Sequence, residues 1–302
     1  MHSSISHIIN QFASDQDVQP NSRDLYKRNV WTFVKWVQAT GREMEKLQKS
    51  DVIEYKQGLF KRKLSPSTID SYITSIRKFY QWLDDKDLYE NIMLGVKNPW
   101  KYKGYRKIPL TVEQVNTLLN SIDRTTIRGK RDYAMINLML RTALRTIEVI
   151  RLTVEDMVME GGIIMLYVLR KGSQGNKTKI QLTHKAFDPI NDYLVDRKNL
   201  KDDQPLFTGL SYNNRNGQMG QKSLSAIIRQ RLQDAGIHDS RITAHSMRHT
   251  AAVNALKAGA SLHDLQLFMG HTDPSTTQIY VRILEEEKRL ANGPGKLLDN
   301  VY

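Results

Sequence analysis

Residues 142–152, TALRTIEVIRL, set Arg145 among Ala143, Leu144, Ile147 and Ile150. A guanidinium in so apolar a segment needs an anionic partner. Glu148, one helical turn on, can supply it, and by itself the pair reads as a partly buried ion pair. Residues 245–249, HSMRH, put His245 and Arg248 at i and i+3 on one helix face. A histidine there can move a proton near neutral pH, and an arginine can hold a phosphate group through two N–H donors. Two histidines four apart also raise a zinc reading. However, Ser246 stands where the metalloprotease pattern has Glu, and no third ligand is evident, so no metal site is expected. Residues 268–282, FMGHTDPSTTQIYVR, place a Gly270-His271 turn before a helix start at Asp273-Pro274, with Tyr280 further along that helix. Alone, Tyr280 is an amphipathic core residue with a buried ring and a wet hydroxyl. A fourth group, Lys171, Lys177 and Lys179, lies around the tip of an expected hairpin. Such a lysine can protonate an alkoxide leaving group, although a charged turn is its commoner meaning.

These side chains need a framework. From Leu110 onward, Thr111 with Gln114 three residues later marks a capping-box helix start, and residues 131–140 read as a buried helix. Residues 162–169 are rich in Ile, Leu, Val and Tyr and read as a strand. KGSQGNK at 171–177 is a turn, and residues 178–183 return as a second strand. Helices are expected at 187–195, 223–235, 245–258 and 262–268, then from Asp273-Pro274 to about 288. Residues 289–302 contain Gly-Pro-Gly and read as a detached tail. Upstream, as far as Gly95, the pattern is mostly helical: 4–12, 21–39, a start at Ser50-Asp51, and a longer helix opened by Ser65 or Ser67 around Pro66. Four such helices make a bundle. The expected fold is therefore mainly α with a small β-sheet. It comprises a helical bundle over 1–96, a basic linker over 97–108, and a mixed α/β domain over 109–302 that includes the tail.

The chain of 302 residues is 40% apolar and 25% charged, enough to bury a core. No apolar run approaches the ~18 residues that span a bilayer, and residues 1–10 carry no secretory pattern. The absence of cysteine excludes disulfides, thiolate metal sites and cysteine nucleophiles, and fits a reducing compartment. The net charge of +13 points first to a polyanion, because Lys and Arg that neutralise phosphates release condensed counterions. Anionic membrane is the rival partner, but no basic amphipathic anchor is present. Lys27, Arg28, Lys61, Arg62, Lys63, Arg77 and Lys78 recur on the N-terminal helices, and 61–63 lies just before the Ser-Pro-Ser-Thr helix start, where cations and free backbone N–H groups could clamp a phosphate. KNPWKYKGYRK at 97–107 holds five Lys/Arg and three aromatics, and Lys101 and Lys103 are placed along nucleic acid.

Taken together, TALRTIEVIRL, HSMRH and MGHTDPSTTQIY resemble, in order and spacing, the motifs of the tyrosine recombinase (phage integrase) family of site-specific DNA recombinases. SPSTIDSYITSIRKFYQWL resembles the last helix of that family's core-binding bundle. The resemblance covers essentially the whole chain. It implies that Arg145 and Arg248 grip the scissile phosphate and that Tyr280 attacks phosphorus to form a 3′-phosphotyrosyl link. Lys171 would protonate the departing 5′ oxygen, His245 would assist proton transfer at the nucleophile, His271 would hydrogen-bond the phosphate, and Glu148 would orient the site. The hairpin tip is longer than the family's usual Gly-Lys-Gly-Asn-Lys turn, so Lys177 is the reserve for the acid. The resemblance also implies a homotetramer on two synapsed duplex sites, a C-terminal segment (290–302) exchanged between neighbours, accessory DNA-bending proteins as candidate partners, and cytoplasmic localisation on the nucleoid. Two arginines and a histidine donor can neutralise the charge that builds on the phosphoryl oxygens, so no cofactor is expected. The phosphotyrosine ester conserves the energy of the broken bond, and there is no P-loop for ATP. Two other readings stand beside this one. A type IB topoisomerase-like enzyme would relax DNA without a site requirement, and a regulator that kept the fold would bind DNA without cutting it.

Overall fold

Helix starts are set by side chains that satisfy the first unpaired N–H groups. In the N-terminal half, α1 (His2–Asp15) and α2 (Pro20–Ala39) are followed by α3 (Lys49–Lys61), where Asp51 Oδ2 accepts from the Gln48 backbone N–H at 2.8 Å. In α4 (Pro66–Asp85), Ser65 Oγ accepts from Thr68 N and Pro66 takes the first helical position, where its missing N–H costs nothing. The structure, a computed structural model, describes every residue except 1, 101–106, 171, 174, 199, 212–213, 215–216, 272, 294, 296–297, 300 and 302. It divides into two compact units, Met1–Gly104 and Tyr105–Tyr302.

The first unit is a helical bundle around Phe12, Phe33, Tyr55, Phe79, Tyr80 and Leu83. Phe12 meets Phe79 edge to face at 5.1 Å between ring centres, the arrangement that ring quadrupoles favour. Inside this core Asn29 Nδ2 donates to Ser75 Oγ at 3.0 Å. The same Nδ2 also reaches the Ser71 carbonyl (3.3 Å) and hydroxyl (3.2 Å), so an amide that would be costly to leave unsatisfied in the core ties α2 to α4.

The second unit runs α5 (Val112–Asn120), α6 (Ile127–Thr142), α7 (Thr146–Arg151), β1 (Met157–Glu160), β2 (Ile163–Leu169), β3 (Lys177–Leu182), α8 (His184–Val195), α9 (Gln221–Asp234), α10 (Ala244–Lys257), α11 (Leu262–Met269) and α12 (Ser275–Ala291). The capping box at α5 is formed, with Thr111 and Gln114 satisfying each other's backbone N–H. The sheet is antiparallel in the order β1-β2-β3, with Met157 opposite Leu166 and Leu169 opposite Lys177. The sequence supports only the β2–β3 hairpin. β1 is four residues long with two exposed side chains at its centre, too short to show a period-two pattern. α8 begins three residues earlier than expected and contains Pro189. The Lys185 carbonyl that Pro189 cannot serve accepts instead from Asn137 Nδ2 on α6 at 2.8 Å. α12 continues to Ala291, past the expected end near 288 and into the stretch read as tail. Among the described residues no helix is long and apolar enough to cross a membrane.

Candidate active site

Two chain reversals and the start of one helix in the second unit bring together several of the residues singled out from the sequence. α6 ends at Ala143, a non-glycine residue in the left-handed region (φ 53°), and the chain re-enters a helix two residues later with Arg145 as the N-cap of α7. Arg145 Nη1 donates to Glu148 Oε1 at 2.8 Å, and the Arg145 backbone N–H donates to Oε2 at 2.8 Å. Glu148 is fully buried, while the Arg145 side chain keeps a quarter of its surface open. Burial alone would raise the Glu148 carboxyl, but the Arg145 backbone and guanidinium, with Arg170 nearby, hold it below the usual range.

α10 carries His245, Arg248 and His249 in its first turns. Arg248 is 1% exposed, the largest of the fully buried side chains. Its Nη1 donates to the Ala143 carbonyl, and its Nη2 donates to the Met269 carbonyl at 2.9 Å and to His271 Nε2 at 2.8 Å. Glu148 Oε2 lies 4.0 Å away. Burial and the neighbouring Arg145 charge push the Arg248 guanidinium down to about 10, so it remains cationic at neutral pH.

α11 ends at Gly270 (φ 62°), and His271 follows on the turn into α12. Because a guanidinium only donates, His271 Nε2 must accept from Arg248. The proton then sits on Nδ1, which donates to Thr277 Oγ1 at 2.9 Å. Burial, then the Arg248 charge, lowers the His271 imidazole to about 4. Tyr280, on the second turn of α12, is 3% exposed. Burial raises its phenol above the ordinary value, against the opposing pull of Arg248 and Arg145. His249 stands between two site rings. Its centre is 4.5 Å from His245, edge to face, and 5.4 Å from Tyr280. His245 is open to solvent at one side, and desolvation by its surroundings, then Arg248 and Arg145, lowers its imidazole.

Arg145, Glu148, Arg248 and His271 thus form one bonded cluster, with Tyr280 and His245 linked to each other through the His249 ring. Lys171 lies outside the described residues, as do Lys101 and Lys103. Lys177, the reserve acid, is bonded to the buried Asp156. Lys179 pairs with Glu160 at 3.0 Å. In the first unit, Lys61, Arg62 and Lys63 are exposed at the end of α3, and Arg28 is exposed while Lys27 is half-buried. Arg77 donates to the Val96 carbonyl at 2.7 Å, which ties down the segment after α4, and Lys78 sits 5.8 Å from the Tyr26 ring centre.

Two residues that adjoin these groups, His249 and Arg170, are not predicted from the sequence. His249 carries no signal of its own once a metal is set aside. Arg170 is 7% exposed and bonds Glu148, Thr178 and the Phe268 carbonyl. Its signal is present in the sequence, since Arg170 closes an apolar strand and needs an anion as Arg145 does.

Residues 109–287 match the model of the phage integrase family, and residues 9–90 match that of the phage integrase N-terminal SAM-like domain. The tyrosine recombinase XerD of Listeria innocua is 26% identical over 288 residues, covering 94% of this chain and 95% of the relative. XerD of Oceanobacillus iheyensis is 28% identical over 280 residues, covering 89% and 90%. Among solved structures, the XerH site-specific recombinase bound to a palindromic difH substrate superposes with a TM-score of 0.74 at 18% identity, over 89% of this chain and 78% of that one. The Tn1549 transposon integrase in complex with circular intermediate DNA gives 0.71 at 19% identity, over 91% and 94%. At those identities the structural likeness speaks to the fold, while the family models reach across both units: the chain belongs to the phage integrase family and is a tyrosine recombinase.

Proposed function

We propose that this recombinase cuts and rejoins duplex DNA at specific sites through a 3′-phosphotyrosyl link to Tyr280, with neither metal nor ATP. The observation that carries this reading is the convergence of Arg145, Arg248 and His271 within one bonded cluster beside a buried tyrosine. Tyr280 Oη attacks phosphorus, the bond to the 5′ oxygen breaks, and Lys171 gives that oxygen a proton. The phenolic proton leaves through His245, whose imidazole, lowered by burial and then by Arg248 and Arg145, favours the neutral form that accepts a proton. Religation is the same path reversed by a 5′ hydroxyl. Arg145 and Arg248 neutralise the non-bridging oxygens as charge builds there. A bound phosphate would compete with the Ala143 and Met269 carbonyls for Arg248. It would also raise His271 from its low value, so that Nε2 could gain a proton and donate.

The acting form is a tetramer on two DNA sites, with residues 290–302 exchanged between neighbours, and DNA-bending proteins assist where synapsis needs them. The protein works in the cytoplasm on nucleoid DNA. Among the predicted phosphate contacts, Lys61, Arg62 and Lys63 are all exposed, as are Arg28 and Lys78. Incubation with nicked site DNA should trap a covalent protein–DNA adduct, and Tyr280→Phe should abolish it. An adduct that persists in the Phe variant would remove Tyr280 as the nucleophile. Deleting 290–302 should leave single-site binding intact and weaken synapsis, read by gel mobility.

A further inference from the structure

We propose that Arg170 is a positioning residue that ties the β2–β3 hairpin to the phosphate-gripping cluster and thereby governs how well the leaving 5′ oxygen is protonated. The inference rests on the reading of Lys171 as the proton donor to the 5′ oxygen. Arg170 immediately follows β2 and immediately precedes Lys171. Its Nε donates to Thr178 Oγ1 on the opposite strand at 3.0 Å, and its carbonyl accepts from both the N–H (3.1 Å) and the hydroxyl (2.9 Å) of Ser173. These bonds close the hairpin on itself. The remaining two bonds reach outward. Nη2 donates to the Phe268 carbonyl at 2.9 Å, in the last turn of α11 before the Gly270-His271 reversal, and Nη1 lies 3.5 Å from Glu148 Oε2, the carboxylate that also holds Arg145.

Gly270 shows how closely the parts fit. A Cβ there would stand 2.8 Å from Arg170 Nε and 3.0 Å from its Cδ. One planar side chain therefore touches the hairpin, the Arg145–Glu148 pair and the His271 turn at once. A lysine could make one of these contacts but not all three, because its donors radiate from a single atom. A hairpin held only at its strands is free to swing. A general acid must instead sit within hydrogen-bond reach of the leaving oxygen, and Arg170 supplies the anchor on the site's side.

The test separates leaving-group protonation from everything else. Duplex DNA with sulfur in place of the bridging 5′ oxygen expels a thiolate, which needs no proton. On ordinary nicked DNA, at saturating protein, Arg170→Ala should slow single-turnover cleavage roughly 100-fold, the scale of a missing general acid. On the sulfur substrate it should cut within about threefold of wild type, with DNA affinity changed less than about twofold. Arg170→Lys should fall between the two. Thr178→Val, which removes only bonds within the hairpin (from Arg170 Nε and to the Val168 carbonyl), should show the same pattern more weakly and covers the case in which Arg170→Ala fails to fold. Lys171→Ala should be rescued by sulfur, and Tyr280→Phe should be inactive on both substrates. Equal slowing of the Arg170 and Thr178 variants on oxygen and sulfur, with Lys171→Ala rescued, overturns the proposal and leaves Arg170 a phosphate-side residue. Rescue of Arg170→Ala but not of Lys171→Ala would instead remove Lys171 as the acid and keep the pinned hairpin.

Discussion

Glu148 is a buried carboxylate facing three guanidinium groups, at 2.8 Å from Arg145, 3.5 Å from Arg170 and 4.0 Å from Arg248. Its removal leaves those cations without a counter-charge in a desolvated site. Glu148→Ala should therefore cost about 3–5 kcal/mol in urea unfolding, the range for breaking a buried pair. His249 belongs to the same scale. Burial, then the His245 and Arg248 charges, lowers its imidazole to about 3, against 6.5 as the ordinary value. The folded state thus resists protonation while the unfolded chain accepts it. The stability tied to neutral His249 is whole above pH 6.5 and drains away as pH falls from 6.5 toward 3. Between pH 7 and pH 5 this group alone should remove about 2 kcal/mol. His249→Phe should flatten that part of the profile, and urea midpoints at the two pH values would show whether it does.

At the scale of elements, the site hangs on two left-handed turns that end helices. The α11 turn uses Gly270, where φ is 62° and a Cβ would press on Arg170. Gly270→Ala should cost at least about 1–2 kcal/mol from backbone conformation alone. The clash adds to that only while Arg170 is present, so the penalty should shrink in an Arg170→Ala background. A double-mutant cycle on thermal unfolding measures the difference, and simple additivity would deny the contact its weight. The α6 turn uses Ala143, whose carbonyl accepts from Arg248. A β-branched residue there is disfavoured by the backbone, so Ala143→Val should lower both stability and cleavage.

For the whole molecule, the charge of +13 governs how the chain meets DNA. If it neutralises about six phosphates, affinity should fall on the order of 10³-fold between 50 and 200 mM salt. Replacing Lys61, Arg62 and Lys63 together by Ala should lower the slope of log affinity against log salt by about 2–3, at about 0.9 for each phosphate no longer neutralised. A slope unchanged within error would take that basic triplet off the DNA.

Element types were legible because they depend on local periodicity and on end signals. The stripe from Ile69 to Leu83 and the Thr111–Gln114 box needed nothing beyond neighbours in the chain. Pairings within one helical turn were legible too, as Arg145 and Glu148 show. The residue types proposed for the site also come from the sequence alone, since three motifs in order carry the family resemblance. Tertiary structure decided what lies between them. β1 forms because β2 offers an edge to four residues with no pattern of their own. Arg248 is caught by carbonyls from positions 143 and 269, far apart in the chain. Arg170 reaches Glu148 and Phe268 from the end of an apolar strand, 22 and 98 residues away in the chain. The physical reason is one of range: a helix turn or a cap is satisfied by residues three or four apart, whereas a buried guanidinium is satisfied by whichever carbonyls and carboxylates the packed core delivers to it.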